Sequence, residues 1–155
     1  METDVYTFAT EPAIGVYHSL LDVALKRCPV GLVVFRPEMP LSSRGANVLE
    51  RLRPFLVHEE RATEWPGTRL IGETAIVYKF VYIPESVEIL KVFSTRLFDW
   101  LQPELPEDLC LLKSADVPWL VTIAHEHDAY LNLEPGELEA MAIMLPEIMG
   151  ILRKG

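Results

Sequence analysis

Apolar strand-type runs in this chain come in pairs joined by short turns, and this pairing limits the fold more than any other feature. Residues 55–64 and 69–83 flank a turn in which Pro66 supplies the fixed φ and Gly67 the positive φ of a type II turn. Short turns join antiparallel neighbours, whereas parallel strands need long crossover connections. This pair therefore predicts a β-hairpin.

A second group of strand-type runs lies in the C-terminal half. Residues 109–112 and 119–124 flank a polar turn at 113–117, and residues 129–133 follow after a charged corner. Apolar runs so closely spaced predict a three-stranded meander. Because the strand runs cluster as hairpins and do not alternate with helices as βαβ units do, we expect a mainly antiparallel sheet.

Four further segments carry apolar residues at helical spacing, and these predict helices. Pro84 and Pro135 stand where first helical turns are expected, a position that does not need the amide hydrogen proline lacks. Pro146 should kink the last helix. The predicted helices cover residues 13–28, 40–53, 84–101 and 135–154. We therefore expect one α+β domain over residues 1–155, with a mainly antiparallel sheet of hairpins and a meander covered by about four helices.

The charge of the chain limits its partners. It has 23 acidic and 14 basic residues, for a formal charge of -9 at pH 7. A negative surface repels phosphate backbones, so we expect no nucleic-acid partner, and a basic protein fits the sign better. Acidity that serves only solubility is the alternative interpretation.

Because no apolar run is long enough to span a bilayer and the N-terminus lacks a signal-peptide pattern, we expect a cytoplasmic protein without a membrane partner.

The nucleophile and cofactor motifs of common enzymes are absent from the sequence. The eight glycines are scattered and form no phosphate-binding loop, so we expect no nucleotide cofactor. Cys28 and Cys110 lie far apart in apolar settings, which predicts free, buried and inert thiols. No serine has the glycine frame of a nucleophile elbow. These observations favour a protein that is not an enzyme and has no cofactor.

The segment 125–128 is the densest group of titratable residues in the chain. On a strand, His125 and His127 would project to the same face and suit a divalent ion, and Asp128 would add an oxygen ligand. A third protein ligand would have to come from His18, His58 or a distant carboxylate. This pattern supports a metal-binding enzyme or sensor as one hypothesis; the alternative is a polar hairpin end that binds nothing.

A short stretch from residue 99 to residue 108 combines acidic residues with an aromatic residue and two prolines. Prolines stiffen a loop, so such a loop loses little entropy when it docks on a basic partner. The alternative is a helix end whose acids are solvated and whose tryptophan is part of the core. The candidate partner-binding residues, with two from the next turn, are Asp99, Trp100, Glu104, Glu107, Asp108, Glu126 and Asp128.

Three short segments resemble parts of small bacterial proteins that are similar to immunity proteins of polymorphic toxin systems. They are Leu105-Pro106-Glu107-Asp108-Leu109-Cys110, Pro118-Trp119-Leu120-Val121 and Ala124-His125-Glu126. The resemblance covers only residues 105–130 and contains no catalytic motif. It implies a bacterial, cytosolic, non-enzymatic binding protein. Together with the charge and the missing active site, it supports the hypothesis of an immunity protein that neutralises a basic toxin by covering its active site with the acidic surface near residues 99–108 and 125–128.

The C-terminal helix offers a second kind of partner. Residues 140–145 are apolar almost all round the predicted helix. A helix surface of this kind needs a covering partner, which a second copy of the chain would provide. The sequence therefore also predicts a homodimer through the C-terminal helix.

Overall fold

An antiparallel sheet of eight strands organises the computed structural model, which describes residues 2–155. Its order is β10-β1-β9-β8-β7-β2-β6-β3, and β4 and β5 form a separate two-stranded ribbon. The α+β class and the mainly antiparallel sheet are confirmed. The strands are β1 (Asp4–Phe8), β2 (Val30–Phe35), β3 (Leu56–Ala62), β4 (Glu64–Trp65), β5 (Thr68–Arg69), β6 (Ala75–Val81), β7 (Glu107–Ser114), β8 (Val117–Ile123), β9 (Asp128–Leu133) and β10 (Leu152–Lys154).

Four α-helices connect these strands, as the sequence predicted. They are α1 (Ile14–Ala24), α2 (Ser43–Leu52), α3 (Pro84–Phe93) and α4 (Glu137–Met144), with short 3-10 turns at Arg53–Phe55, Leu97–Asp99, Ala124–Glu126 and Pro146–Gly150. The predicted extension of α3 to residue 101 is wrong. The helix ends at Phe93 because Ser94 is extended, with φ -137° and ψ 143°, and Leu97 reaches the core from a 3-10 turn instead.

The C-terminal segment differs most from its prediction. Helix α4 ends at Met144 and is not a kinked helix that continues to residue 154. Proline disfavours helical backbone at the residue before it, and Leu145, which precedes Pro146, has φ -140° and ψ 73°. Residues 152–154 then form β10 and pair with β1, an N-terminal strand that the sequence analysis did not predict.

The first predicted hairpin is present in a modified form. Strands β3 and β6 pair directly, and the Pro66–Gly67 turn belongs to the β4–β5 ribbon inserted between them. Gly67 has the predicted positive φ, at 87°. Strand β3 has no second neighbour among the described residues, and Val57 to Arg61 on this outer strand are exposed. The second group of runs forms the predicted meander β7-β8-β9.

The two faces of the sheet are covered differently. Alternate residues of a strand face opposite sides, and in β2 Val33 belongs to one apolar cluster whereas Leu32 and Val34 belong to another. The buried apolar residues of all four helices lie in the Val33 cluster. The other cluster consists of strand residues together with Trp65 of the β4–β5 ribbon. The helices therefore cover one face only, and the ribbon partly covers the other.

A buried chain of hydrogen bonds fixes the segment that follows α3. The Tyr17 hydroxyl of α1 accepts a hydrogen bond from Trp100 Nε1 at 2.8 Å and lies 2.7 Å from Ser94 Oγ. Burial raises the pKa of Tyr17 to about 12, so the phenol is neutral at physiological pH. Trp100 is therefore held in the core against α1.

Glu137 anchors α4 to three other elements. Its carboxylate accepts hydrogen bonds from Arg27 Nε at 2.9 Å, Lys113 Nζ at 2.8 Å and Trp119 Nε1 at 2.9 Å. Burial by itself raises the pKa of Glu137, but the hydrogen bonds from the Glu134 amide, Lys113 and Trp119 favour the charged form and hold the pKa below its usual value. The charged carboxylate therefore stabilises the fold.

Apolar side chains remain exposed at the C-terminal end of α4. The solvent-exposed fraction is 83% for Ile143 and 57% for Met144. Homodimerisation through this helix stays a prediction.

Among residues 2–155, no helix combines the length and the apolar character needed to cross a membrane.

We predict that Glu137→Gln lowers the free energy of unfolding at pH 7 by about 1–3 kcal/mol, because Arg27 and Lys113 lose a partly buried counter-charge. The folded pKa of Glu137 is depressed, so its contribution is present above the unfolded value of about 4.3 and is lost as the pH falls through the folded pKa. Urea unfolding should therefore show a deficit at pH 7 that shrinks toward pH 3. Glu139→Gln, an exposed change on the same helix, should shift stability by less than about 0.5 kcal/mol; equal effects of the two variants would contradict the assignment.

Candidate functional site

A β-bulge at the start of β7 brings two carboxylates together. Leu32 pairs with Cys110 and Val34 pairs with Glu107, so two steps along β2 match three steps along β7. Asp108, inside the bulge, has a left-handed φ of 57°, a conformation that aspartate tolerates better than most residues. Neighbouring side chains of a regular strand point apart, whereas bulges redirect them. Glu107 and Asp108 therefore converge.

Asp108 is completely buried and connects three segments. Its Oδ2 accepts hydrogen bonds from Trp65 Nε1 at 3.0 Å and Thr68 Oγ1 at 3.5 Å, and its Oδ1 accepts one from the Ala124 amide at 3.0 Å. Burial raises the pKa of Asp108, and these hydrogen bonds oppose the increase. The carboxylate thus holds the β4–β5 ribbon and the turn after β8 against the bulge.

Gly67 allows the ribbon to approach the sheet closely enough for this contact. A Cβ atom at Gly67 would lie 2.8 Å from side-chain carbons of both Val121 and Ile123. Since that separation is far below van der Waals contact, any other residue would push the ribbon off β8. The glycine thereby allows the close docking that places Trp65 within hydrogen-bonding distance of Asp108.

Glu107 is also buried, with only 1% of its surface exposed, but it has fewer partners. Its Oε2 accepts one hydrogen bond, from the Gln102 amide at 3.3 Å, and its Oε1 accepts none from residues 2–155. Burial, followed by the adjacent charge of Asp108, raises the pKa of Glu107. Within the described residues, neither carboxylate forms an ion pair with a lysine or arginine.

His125 completes the cluster from the solvent side. A ring nitrogen of His125 and one oxygen each of Glu107 and Asp108 all lie within 4.8 Å of one another. The expected pairing of His125 with His127 on one strand face is wrong, because residues 124–126 form a 3-10 turn. His127 ends that turn with φ 52°, and its ring packs against Phe98 with 5.6 Å between centroids.

The other two histidines lie elsewhere in the structure. His18 Nε2 is hydrogen-bonded to the Ser94 carbonyl at 2.9 Å, and His58 Nε2 lies 3.4 Å from Glu60 on β3. The metal hypothesis required a third ligand from His18, His58 or a distant carboxylate. The carboxylates that lie near His125 are those of Glu107 and Asp108. The candidate cluster therefore contains one of the two predicted histidines and two acids that were assigned to partner binding.

Three of the predicted partner-binding residues are unavailable to a partner. Trp100, Glu107 and Asp108 are buried, so their assignment to an exposed loop is wrong. The reason is their hydrogen bonding, which directs Trp100 toward Tyr17 and Asp108 toward Trp65. Asp99 is half-buried, and its carboxylate accepts hydrogen bonds from the amides of Thr95 and Arg96, at 2.8 Å and 2.9 Å.

The remaining predicted residues lie on the surface at one end of the molecule. Glu104, Glu126 and Asp128 are exposed, and in residues 2–155 none of them pairs with a lysine or arginine. The Phe98–His127 contact joins the turn at 97–99 to the turn at 124–126. We call this surface the acidic end; its residues are Phe98, Asp99, Glu104, Glu126, His127 and Asp128.

A groove of about 460 Å³ crosses part of the acidic end. Phe98, Asp99 and Glu104 line it, together with Arg44. The Arg44 guanidinium donates a hydrogen bond to the Phe93 carbonyl at 2.7 Å and lies over the Phe93 ring, 5.1 Å from its centroid. The groove thus combines an aromatic surface with acidic side chains and one internally bonded arginine.

The two cysteines do not belong to a reactive site. Both are free and buried, as predicted. Burial raises the pKa of Cys28 and of Cys110 to about 12, so neither thiol ionises at neutral pH.

Comparisons with protein-family models, curated proteins and solved structures give no match to this chain. The site is therefore interpreted from its own geometry.

We predict that Asp108→Ala lowers the free energy of unfolding by about 2–4 kcal/mol, because it leaves the Trp65 indole and the Ala124 amide without an acceptor in a buried setting. Asp108→Asn retains an acceptor oxygen and tolerates the left-handed backbone, so its loss should be smaller. Urea unfolding monitored by circular dichroism measures both. A stability change below about 0.5 kcal/mol for the alanine variant would show that Asp108 does not connect these segments.

Proposed function

We propose that this chain is a non-enzymatic binding protein that takes a basic protein partner at the acidic end, in the manner of a bacterial immunity protein that neutralises a toxin. One observation carries the proposal: two acidic segments separated by more than twenty residues in sequence adjoin through the Phe98–His127 contact. Within residues 2–155 the exposed carboxylates of Glu104, Glu126 and Asp128 form no ion pair with a lysine or arginine, which leaves them to pair with cations of a partner.

The charges of the acidic end support recognition of a basic surface. Glu104, Glu126 and Asp128 are three of the 23 acidic residues that give the chain a formal charge of -9. Complementary potentials speed the encounter of two proteins and select against partners of like charge. The half-buried Phe98, between these acids, supplies the aromatic contact that interface centres favour.

The loop that carries Glu104 is held in place before any partner arrives. Gln102 Oε1 accepts a hydrogen bond from the Arg36 amide at 2.7 Å, and its Nε2 lies 3.1–3.3 Å from the carbonyls of Arg36, Met39 and Pro40. A loop fixed in this way loses little conformational entropy on binding, which favours affinity. The resemblance to immunity proteins includes Glu126 of the adjoining turn.

The test reverses three charges of the acidic end together, as Glu104→Lys, Glu126→Lys and Asp128→Lys. The wild-type chain serves as bait in cells of the source organism, and the basic protein that it retains is purified; retention of no basic protein would reject the proposal. We expect the variant to bind it at least about 10-fold more weakly, equivalent to about 1.4 kcal/mol, with most of the salt dependence lost. Surface plasmon resonance at two salt concentrations measures the change.

A matched control reverses three exposed acids outside the acidic end, as Glu88→Lys, Glu139→Lys and Glu147→Lys. It changes the net charge by the same amount, so equal weakening by both variants would show a non-specific charge effect and reject the acidic end as the binding surface. The immunity role has a separate readout. Co-expression of the wild-type chain, but not of the variant, should restore growth to cells that produce the partner; no rescue would reject that role.

A further inference from the structure

Glu107 and Asp108 are adjacent buried carboxyl groups without a basic partner among the described residues. Their exposed fractions are 1% and 0%, and no lysine or arginine of residues 2–155 forms an ion pair with either. The charge of Arg36 lowers the pKa of Glu107, but Arg36 pairs with Glu38 at 2.8 Å and with Glu73 at 3.5 Å. Buried charges in proteins are paired or coordinate metals. Neither carboxyl group has such a partner among the described residues.

Glu107 and His125 have atoms that could bind a metal ion and that accept or donate no hydrogen bond within residues 2–155. Glu107 Oε1 accepts no hydrogen bond from residues 2–155, and it reaches solvent, since Thr122 Oγ1 is the one fully buried side-chain polar atom without a partner in that range. The His125 ring is likewise without a hydrogen-bond partner among the described residues, and its nitrogen faces the two carboxylates. We propose that Glu107, Asp108 and His125 bind one divalent first-row transition ion.

The spacing of the three groups suits such an ion. Carboxylate oxygens and imidazole nitrogens lie about 2.0–2.2 Å from zinc, so ligand atoms on one ion are at most about 4.4 Å apart. The three ligand atoms lie within 4.8 Å of one another. Binding therefore requires the side chains to approach by a few tenths of an ångström at most.

The donor set selects the class of metal. Calcium and magnesium prefer oxygen ligands alone, whereas imidazole favours zinc, manganese, iron and related ions. The buried carboxylates supply the negative charge, and the exposed histidine leaves a route for the ion from solvent. Three protein ligands leave further positions of the coordination sphere to water.

A bound ion would add a link between the bulge of β7 and the turn that joins β8 to β9. This link is independent of the proposed partner, because Glu104, Glu126 and Asp128 are not in the ligand set. It also differs from the hydrogen bonds of Asp108, which join the same segments without involving Glu107.

The test uses tag-free full-length protein stripped with a chelator and titrated with Mn²⁺ and with Zn²⁺ by isothermal titration calorimetry. We expect one ion per chain and a higher midpoint of thermal unfolding with metal, because the ion binds the folded state. Glu107→Gln and His125→Ala should each weaken binding at least about 10-fold, since even outer partners of metal ligands have effects of that size. His127→Ala, the neighbouring histidine outside the cluster, should bind like the wild type.

Two controls separate ligand loss from misfolding. Glu107→Gln keeps the side-chain shape and removes a buried charge, and His125→Ala changes an exposed residue, so both variants should fold without metal and show wild-type circular dichroism. The proposal is overturned if the stripped protein binds neither ion saturably. It is also overturned if His127→Ala abolishes binding while Glu107→Gln and His125→Ala retain it, or if all variants bind equally, as an adventitious surface ion would.

Discussion

The buried carboxylate of Asp108 is the interaction on which this end of the molecule depends. It accepts hydrogen bonds from an indole on the ribbon and from a backbone amide in the turn after β8, while its own backbone takes the left-handed conformation of the bulge. A side chain without an acceptor oxygen would leave those donors unpaired in the interior. The bulge, the ribbon and the turn are therefore one cooperative unit, and the acidic end is built on it.

Much of the fold could be predicted because the patterns that define it are local. Strands β7 to β9 follow from closely spaced apolar runs, and helix α2 follows from apolar residues at helical spacing. In the structure Ser42 caps α2 by accepting a hydrogen bond from the Gly45 amide. The ends of α3 and α4 could not be predicted in the same way. Leu97 and Leu145 continue the apolar spacing and are indeed buried, but they reach the core from 3-10 turns or extended backbone. A side chain is buried when it points toward the core, whether or not the backbone at that residue is helical.

The candidate site was only partly predictable, for a related reason. Sequence alone identified the acids and histidines, but not which of them face the interior. Asp108 is buried because Trp65, more than forty residues away, supplies a donor, and His125 joins the acids because the backbone turns at residue 124. Both facts depend on long-range pairing and on one left-handed residue. A carboxylate directly after a proline at the start of an apolar strand was the available signal, in Pro106-Glu107-Asp108.

The outer strand β3 has a consequence for the behaviour of the protein in concentrated solution. An edge strand with free amides and carbonyls can template the addition of strands from other chains, which is the first step toward insoluble fibres. Here the exposed part of the edge reads Val57-His58-Glu59-Glu60-Arg61, so most of it is charged or polar. A second chain laid in register against it would bring Glu59 and Glu60 close to their own copies or to other charged groups. The charges along β3 thus disfavour the addition of another chain at this edge of the large sheet.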